Sequence, residues 1–417
     1  MYLTQTNIIR HLSKDQYSIL KEMCIYSNNL YNYGLYNVRQ QYFNAKTYLT
    51  YFSNAKLCKD NENYKLLQAG ISNQVLNTVD HNFKSFFALI KKAKTGSYDY
   101  KDLKIPHYHK KGSMFLLILQ SNSISIKNGL LKLPMSREFR KTHTTEDIYI
   151  SIPKHLLDKE IKQIQIIPCT KGKYFKIQYI YKQEIEPKHL NTNNKLGIDL
   201  GVNNLATCVP TNNETPFILD GRKLQSINHY WNQEKARLQS ISSKQNIKGI
   251  TSRVYSITEK RNKRIKDQIR KSARYIINYC IKNDIGTIVV GYNKDFKRNI
   301  NLGKQNNQNF TQIPLGDLRS SIKYLCERYE LNYIEQEESY TSQSSFIDND
   351  IIPVYSNTNN QNYTFSGKRI YRGLYKSSKG ITLNADVNGA LNILKKASCG
   401  KLQCRGFLAN PYRIRIS

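Results

Sequence analysis

The sequence has little of what marks a membrane protein or a disulfide-rich secreted protein. No apolar run is long enough to span a bilayer, and residues 1–5 begin without the charged and apolar stretches of a signal peptide. The eight cysteines include no Cys-x-x-Cys pair, and Cys399 and Cys404 have no second pair to complete a tetrahedral zinc site. We therefore expect reduced thiols, a location in the cytosol and no membrane partner.

Acidic residues are also scarce. Asp and Glu number 31 against 64 Lys and Arg, which gives the 417-residue chain a net charge of +33. The positive excess is spread along the chain, so it predicts a polyanionic partner, and nucleic acid is the natural one. The 31 Tyr and 14 Phe can supply stacking surfaces for its bases. The length allows two or three domains.

Three acidic segments of the C-terminal half stand out against this basic background. They are Gly-Ile-Asp-Leu-Gly at 197–201, Glu-Glu-Ser-Tyr-Thr-Ser at 337–342 and Asn-Ala-Asp-Val-Asn-Gly-Ala at 384–390. Each places a carboxylate at the edge of a predicted strand or helix. Carboxylates that converge from separate elements hold Mg²⁺ or Mn²⁺ against a phosphodiester. In so basic a chain, the pattern indicates a metal-dependent nuclease.

Each acidic position also has a purely structural interpretation. Asp199, in an apolar strand, can be a hydrogen-bonded structural aspartate, although burial without a partner or a cation is costly. Asp386 can cap the helix that follows it, unless Asn384 does so and leaves Asp386 to point inward. Glu337 and Glu338 face opposite sides of a strand, so one can face a site while the other faces solvent.

The two halves of the chain have different element patterns. Residues 114–185 show the period-two alternation of strands, with a type I′ hairpin expected at Asn128-Gly129, and residues 14–94 show helical periodicity. The C-terminal half has the order β-β-β-α-β-α-β-α, the α/β plan of RNase H-like proteins. Its expected strands are 195–201, 204–210, 216–220, 286–292 and 331–338, and its expected helices are 223–284, 315–330 and 385–397.

A polar linker with a proline, residues 184–194, marks the main boundary. The resulting fold class is a multidomain α/β and β protein. The expected domains are a small β-barrel or sandwich (1–13 and 97–188), a helical insertion into it (14–96), an RNase H-like nuclease domain (189–400) with a loop-rich insertion (341–381), and a C-terminal tail (401–417).

A dense cluster of basic residues lies on the predicted helix around 260–274. Such a cluster is often a solvated face, but this density of like charge favours contacts with phosphates. Its members are Lys260, Arg261, Lys263, Arg264, Lys266, Arg270, Lys271 and Arg274.

Several stretches carry a resemblance to a known family. They are Gly-Ile-Asp-Leu-Gly-Val at 197–202, Ile-Val-Val-Gly-Tyr-Asn at 288–293, residues 306–314, Glu-Ser-Tyr-Thr-Ser at 338–342, residues 366–375 and residues 384–393. With them the C-terminal half resembles the OrfB/TnpB proteins of bacterial insertion sequences, compact relatives of type V CRISPR effector nucleases. The N-terminal half resembles them more weakly, in a wedge-like barrel with a helical recognition insertion.

The resemblance implies an RNA-guided DNA endonuclease with a RuvC-type active site, encoded by a transposable element. Asp199 and Asp386 match the first and third RuvC carboxylates. Glu338 matches a relocated second carboxylate, with Glu337 as its alternative. These residues would hold two Mg²⁺ or Mn²⁺ ions, and cleavage would leave 5′-phosphate and 3′-hydroxyl ends. Lys368, Arg369 and Arg372, in a matching stretch, are further candidate nucleic-acid contacts.

The resemblance also implies the partners and one departure from the family. The partners would be a guide RNA from the transposon end and target DNA beside a short flanking motif, in the cytosol or nucleoid of a bacterium or archaeon. Many relatives carry a four-cysteine zinc ribbon after the Tyr-Thr-Ser motif, but residues 327–398 contain no cysteine. We therefore expect no zinc, and residues 341–381 must be held by other contacts over the active site as its mobile part.

Two other functions are compatible with the family. A relative without its carboxylates would be an RNA-guided DNA-binding protein or repressor, and the acidic residues Asp199, Glu338 and Asp386 argue against it. A transposase or transposase accessory protein would join DNA, but no tyrosine nucleophile with a paired-histidine metal site is evident. The sequence leaves the oligomeric state, the guide and the flanking motif open.

Overall fold

The computed structural model describes residues 1–143, 147–293, 311–354, 363–371, 373–398 and 410–416. The chain divides into two compact units, residues 1–184 and 185–417. No helix in the described ranges is long and apolar enough to cross a membrane.

The first unit combines helices with short antiparallel strands. Its helices are α1 (Lys14–Ala45), α2 (Tyr51–Cys58), α3 (Glu62–Leu66), α4 (Ala69–Lys94) and α5 (Arg137–Thr142). Its strands are β1 (Tyr2–Ile8), β2 (Leu117–Gln120), β3 (Ser125–Lys127), β4 (Leu130–Lys132), β5 (Tyr149–Ser151), β6 (Ile161–Cys169) and β7 (Tyr174–Lys182). The predicted helical block therefore consists of four separate helices.

These strands form two sheets. One has the order β1-β7-β6-β2 and the other β3-β4-β5. Among the described residues, their pairing leaves both sheets open, so the closed barrel expected from the sequence is not formed by hydrogen-bonded strands. The predicted hairpin is confirmed: Asn128 and Gly129 join β3 to β4 with φ of 50° and 73°, the left-handed pair that a type I′ turn requires.

The second unit is built on a six-stranded mixed sheet. Its strands are β8 (Lys195–Leu200), β9 (Asn204–Pro210), β10 (Phe217–Asp220), β11 (Thr287–Tyr292), β12 (Asn332–Glu337) and β16 (Tyr412–Ile414), in the spatial order β12-β11-β8-β9-β10-β16. Its helices are α6 (Arg222–Lys244), α7 (Ser252–Lys282), α8 (Leu315–Tyr329) and α9 (Ala385–Ser398). Strands β8 to β12 follow one another in the predicted order. Strand β16 was not predicted: it lies in the segment expected to be a tail, 401–417, and it pairs in parallel with β10.

One helix prediction is wrong. The single helical stretch expected over 223–284 is two helices, α6 and α7, which pack against each other. Between them Asn246 and Gly249 adopt φ of 51° and 94°. Left-handed backbone conformations are incompatible with a continuous right-handed helix, and helical periodicity on either side did not reveal the interruption.

A small three-stranded sheet follows the Tyr-Thr-Ser motif. It contains β13 (Lys368–Tyr371), β14 (Leu374–Lys376) and β15 (Thr382–Asn384), all antiparallel. Two aspartates tie the surrounding loops together. Asp348 accepts hydrogen bonds from the Ser345 and Ser378 hydroxyls, each 2.6 Å. Asp350 accepts from the Ser345 amide at 2.7 Å and from the Ser366 hydroxyl at 2.6 Å. Residues 341–381, which lack the cysteines of a zinc ribbon, therefore have hydrogen bonds from serine hydroxyls to aspartate carboxylates that link their loops.

Candidate active site

The carboxyl ends of three parallel strands meet at one edge of the large sheet. In the register of β8, β11 and β12, Ile198 pairs with Val290, and Val290 pairs with Glu335. Asp199 is therefore level with Gly291, and Glu338 follows the end of β12. This edge is where open α/β sheets bind their ligands.

Glycines make room for Asp199 beneath helix α9. A Cβ atom on Gly389 would lie 2.9 Å from Asp199 Oδ2. A Cβ on Gly197 would lie 2.4 Å from Leu394 Cγ and 2.8 Å from the Ala390 carbonyl oxygen. All three distances are shorter than real Cβ contacts. A side chain at Gly197 would push α9 away from β8, and one at Gly389 would displace either α9 or the Asp199 carboxylate. The two glycines let the helix bring its own acidic end close to Asp199.

Asp199 has an electrostatic environment that does not suit a free carboxylate. It accepts no hydrogen bond from the described residues, which removes the simplest structural explanation for it. Burial raises its pKa well above the usual value, and the charges of Glu338 and Asp386 raise it further. Among the described residues, Arg369 opposes this rise. The carboxylates of Glu338 and Asp386 are therefore within electrostatic range of Asp199.

Glu338 lies against the neighbouring strand. A Cβ on Gly291 would be 2.6 Å from Glu338 Oε2, so the glycine of β11 provides the space for this carboxylate. Burial raises the pKa of Glu338 to about 7, and the charge of Glu337 adds to the rise. Arg319 and Lys396 act in the opposite direction. Like Asp199, Glu338 accepts no side-chain hydrogen bond from the described residues.

The two neighbouring glutamates have different partners. Glu337 Oε2 accepts a 2.5 Å hydrogen bond from Lys396 Nζ, and its Oε1 accepts a 2.6 Å bond from the Ser339 amide. The Lys396 ammonium and these hydrogen bonds outweigh burial and lower the pKa of Glu337. Glu337 is thus a satisfied structural carboxylate, and the geometry favours Glu338 as the one that faces Asp199.

Asp386 does not cap its helix. Asn384 Oδ1 accepts the amides of Asp386 and Val387, at 3.0 and 3.2 Å, which confirms Asn384 as the cap. Asp386 instead accepts hydrogen bonds from Asn204 Nδ2 at 2.5 Å and from an Arg369 guanidinium nitrogen at 3.1 Å. Sequence reasoning missed Asn204, because its only signal is contact with a residue 182 positions away.

The donor set can be tested against the chemistry of a divalent cation. Hard ions such as Mg²⁺ take carboxylate oxygens, and a cation compensates clustered like charges. The carboxylates of Asp199 and Glu338 accept no hydrogen bond from the described residues, and Asp386 lies beside them. Carboxylates are the type of ligand that such an ion binds. Among the described residues, however, no group of three or more His, Cys, Asp or Glu side chains is arranged so that it could hold a metal ion. In this arrangement the oxygens of Asp386 accept hydrogen bonds from Asn204 and Arg369.

The basic helix separates into exposed and internal members. Exposed side chains are those of Lys260, Lys263, Arg264, Lys266, Arg270 and Lys271, and Lys368 on β13 is exposed as well. Arg261 has partners within the unit: its guanidinium donates to Asn228 Oδ1 at 2.8 Å and to the Gln312 carbonyl at 2.7 Å, over the ring of Trp231. Arg274 also binds within the unit, donating to Tyr329 Oη at 2.7 Å. Arg372 lies outside the described residues.

Two family models and a curated protein match this chain. Residues 178–297 match the OrfB_IS605 family model, a probable transposase, and residues 316–393 match the model of the Cas12f1-like TNB domain. The TnpB-like protein ORF457 of Acidianus two-tailed virus is 25% identical over 445 residues, which cover 94% of this chain and 86% of that protein.

Solved structures show a shared fold. The cryo-EM structure of a Cas12f1–sgRNA–target DNA complex aligns with a TM-score of 0.63 and 16% identity, over 91% of this chain and 83% of that one. The mini-RNA-guided endonuclease CRISPR-Cas_phi3 aligns with a TM-score of 0.55 and 11% identity, over 97% and 93%. The resemblance to OrfB/TnpB proteins, themselves related to type V effectors, is thereby confirmed.

Proposed function

We propose that this relative of the TnpB proteins is an RNA-guided, divalent-metal-dependent DNA endonuclease encoded by a transposable element. The observation that carries the proposal is the convergence of Asp199, Glu338 and Asp386 at the carboxyl edge of the sheet. Two of them have raised pKa values and no hydrogen-bond partner among the described residues. Such clustering is unfavourable unless a ligand compensates it.

The proposed site residues act by binding and by charge. Asp199, Glu338 and Asp386 would hold two Mg²⁺ or Mn²⁺ ions, with Glu337 as the less suitable alternative to Glu338. A metal ion held by these carboxylates would supply Lewis-acid activation of water and charge stabilisation at the leaving 3′ oxygen, and the expected products are 5′-phosphate and 3′-hydroxyl ends. A bound cation would favour the ionised form of Glu338 and would compete with Arg369 for Asp386.

Nucleic acid would be held mainly by its backbone. The exposed cations of α7, together with Lys368, supply phosphate contacts, while Arg261 and Arg274 are withdrawn from that set because their guanidinium groups bind within the protein. A guide RNA from the transposon end would select the target by base pairing. The protein would read a short flanking DNA motif.

We assign a separate role to each of the expected domains. Residues 1–13 and 97–188 would be the wedge-like module, with 14–96 as the recognition insertion, and both would contact the guide and the flanking motif. Residues 189–400 would be the RuvC-type nuclease domain, with 341–381 as an insertion over its active site. Strand β16, in the segment 401–417 expected as a tail, would belong to the same domain because it pairs with β10.

The deciding experiment is a guided cleavage assay. The protein is purified after co-expression with flanking element DNA, the copurified RNA is sequenced, and a matched plasmid library is incubated with Mg²⁺ or with EDTA. We expect cuts beside a fixed short motif, in Mg²⁺ only, that disappear in Asp199→Ala. Absence of bound RNA, or cuts that persist in EDTA, would overturn the proposal.

A second candidate function has one observation in its favour. Among the described residues, no three carboxylates are arranged to hold a metal ion, and Arg369 already binds Asp386. An RNA-guided DNA-binding protein that does not cleave would tolerate this arrangement. It predicts copurified RNA and target binding without cutting, unchanged by alanine at Asp199. A transposase accessory role would instead give strand-transfer products.

A further inference from the structure

One face of helix α9 carries a row of hydrogen-bond donors. Asn388, Asn392 and Lys396 are spaced by four residues, so they lie one above another on the same side of the helix. All three donate to backbone carbonyls of the segment that follows β12, residues 338–346, which we term the glutamate turn. The donor side chains are deeply buried: both asparagines are inaccessible to solvent, and the Lys396 side chain is 6% exposed.

The contacts cover the turn from end to end. Lys396 Nζ donates to the Ser339 carbonyl at 3.1 Å. Asn392 Nδ2 donates to the carbonyls of Thr341 at 2.9 Å and Ser344 at 2.7 Å.

Asn388 closes the far end of the turn. Its Nδ2 donates to the Ser344 carbonyl at 2.8 Å, and its Oδ1 accepts the Phe346 amide at 3.1 Å. The turn is therefore fixed to the helix at four backbone positions rather than by apolar packing alone.

Glu338 is the first residue of this turn, and the turn is closed onto its carbonyl. Thr341 donates to the Glu338 carbonyl through its amide at 3.2 Å and its hydroxyl at 2.8 Å. Asn392 in turn holds the Thr341 carbonyl. A chain of three residues thus connects the α9 face to the backbone that carries the Glu338 carboxylate.

The same helix begins with Asp386. Because a helix is a rigid element with a fixed rise per residue, the donors set the position of the glutamate turn relative to Asp386. Close packing at Gly197 and Gly389 sets the position of the helix relative to Asp199. One element therefore determines the relative placement of all three carboxylates.

From these contacts we propose that Asn388, Asn392 and Lys396 are positioning residues that hold Glu338 where it can share a divalent cation with Asp199 and Asp386. The inference rests on the proposed function and deepens it. It also accounts for Asn392 Oδ1, which is buried without a hydrogen-bond partner in the described part of the chain. An unpaired buried acceptor is unfavourable, so the Oδ1 atom by itself gives no reason for an asparagine at this position. The paired N–H donors explain an asparagine.

The test distinguishes the effect of losing a hydrogen-bond donor to the glutamate turn from the effect of a general loss of stability. Asn392→Leu and Lys396→Met remove donors, and Lys396→Arg keeps one. Asn228→Leu is the matched control, since Asn228 is a buried amide of the same unit that hydrogen-bonds Arg261 and the Gln312 carbonyl instead. Each full-length variant is assayed for Mg²⁺ dependence of guided cleavage, for Mn²⁺ binding by calorimetry and for amide hydrogen exchange in 339–346.

We expect Asn392→Leu and Lys396→Met to raise the Mg²⁺ concentration for half-maximal cleavage and the Mn²⁺ dissociation constant by about 10- to 100-fold, the usual cost of losing a group that orients a metal ligand. Exchange in the glutamate turn should accelerate in the same variants. Lys396→Arg should stay near wild type. Asn228→Leu should lower the melting temperature without changing the metal dependence.

The outcomes separate this inference from the proposed function. Unchanged metal dependence in both donor-loss variants, or an equal change in Asn228→Leu, would overturn the positioning role. A wild-type protein that binds Mn²⁺ but cuts no DNA would overturn the nuclease proposal. In that case calorimetry and hydrogen exchange would still decide the role of the donors.

Discussion

Arg369 and Asp386 form a 3.1 Å ion pair at the mouth of the acidic cluster. The same guanidinium is the only described group that opposes the rise of the Asp199 pKa. It therefore provides part of the positive charge that a bound cation would provide, and it competes with that cation for Asp386.

Removing the guanidinium should make metal binding easier. Arg369→Ala leaves Asp386 free of one of its two partners, so we expect the Mn²⁺ affinity of the protein without nucleic acid to rise severalfold in a calorimetric titration at low ionic strength. Lys368→Ala, at the neighbouring exposed cation of β13, is the control and should change the affinity less. Equal affinities in wild type and Arg369→Ala would show that the ion pair does not compete with the cation.

Substitutions of the two adjacent glutamates should reduce guided cleavage to different extents. Glu338→Gln removes an unbonded carboxylate from the site, and we expect at least a 100-fold loss of guided cleavage. Glu337→Gln keeps one acceptor oxygen, which can serve either Lys396 or the Ser339 amide, so the loss of cleavage should stay within about 10-fold. RNA copurification serves as the control for folding. The opposite order of activities would assign the second carboxylate to Glu337.

Stability should depend on pH through Glu338. Its folded-state pKa is about 7 against an ordinary 4.5, so between these values the folded protein holds a proton that the unfolded chain lacks. This contribution is fully present below pH 4.5 and is lost as pH rises through 7. In EDTA at pH 8, Glu338→Gln should therefore exceed wild type in unfolding free energy by about 2–3 kcal/mol, and near pH 4.5 the two should converge. Urea unfolding at both pH values measures the difference, and a constant gap would contradict the assigned pKa.

Gly389 should tolerate no side chain. A Cβ there would lie 2.9 Å from Asp199 Oδ2, so Gly389→Ala must displace either the carboxylate or the helix, at a cost of about 1–3 kcal/mol. We expect loss of cleavage with guide binding retained. Gly316→Ala in α8 is the matched control, because nothing lies within 4 Å of its added methyl group. Full activity in Gly389→Ala would show that the site has more room than the structure indicates.

Metal chelation should not loosen the cysteine-free segment. Asp348 and Asp350 hold its loops through serine hydroxyls and amides, so EDTA should leave the thermal unfolding of that region unchanged. Asp348→Ala removes three hydrogen bonds and should destabilise the C-terminal unit by about 1–3 kcal/mol, measured by differential scanning calorimetry. If EDTA strongly lowered the thermal stability and Asp348→Ala left it unchanged, a structural metal ion would hold this segment instead.

The local features of the chain were determined by the sequence itself. The type I′ hairpin at Asn128-Gly129, the strands of the large sheet and the cap at Asn384 depend on backbone preferences and periodicity within a few residues. The candidate carboxylates were also recognisable, because an acidic residue among apolar neighbours is conspicuous in a chain of net charge +33.

Only the tertiary structure decided how the side chains pair. The contact of Asn204 with Asp386, the internal role of Arg261 and the separate open sheets of the first unit join residues far apart in sequence, where periodicity contains no information. The different surroundings of Glu337 and Glu338 depend on the position of Lys396, 59 residues from Glu337. Composition and spacing identify which groups are present, but hydrogen bonding and charge compensation depend on distances that folding alone establishes.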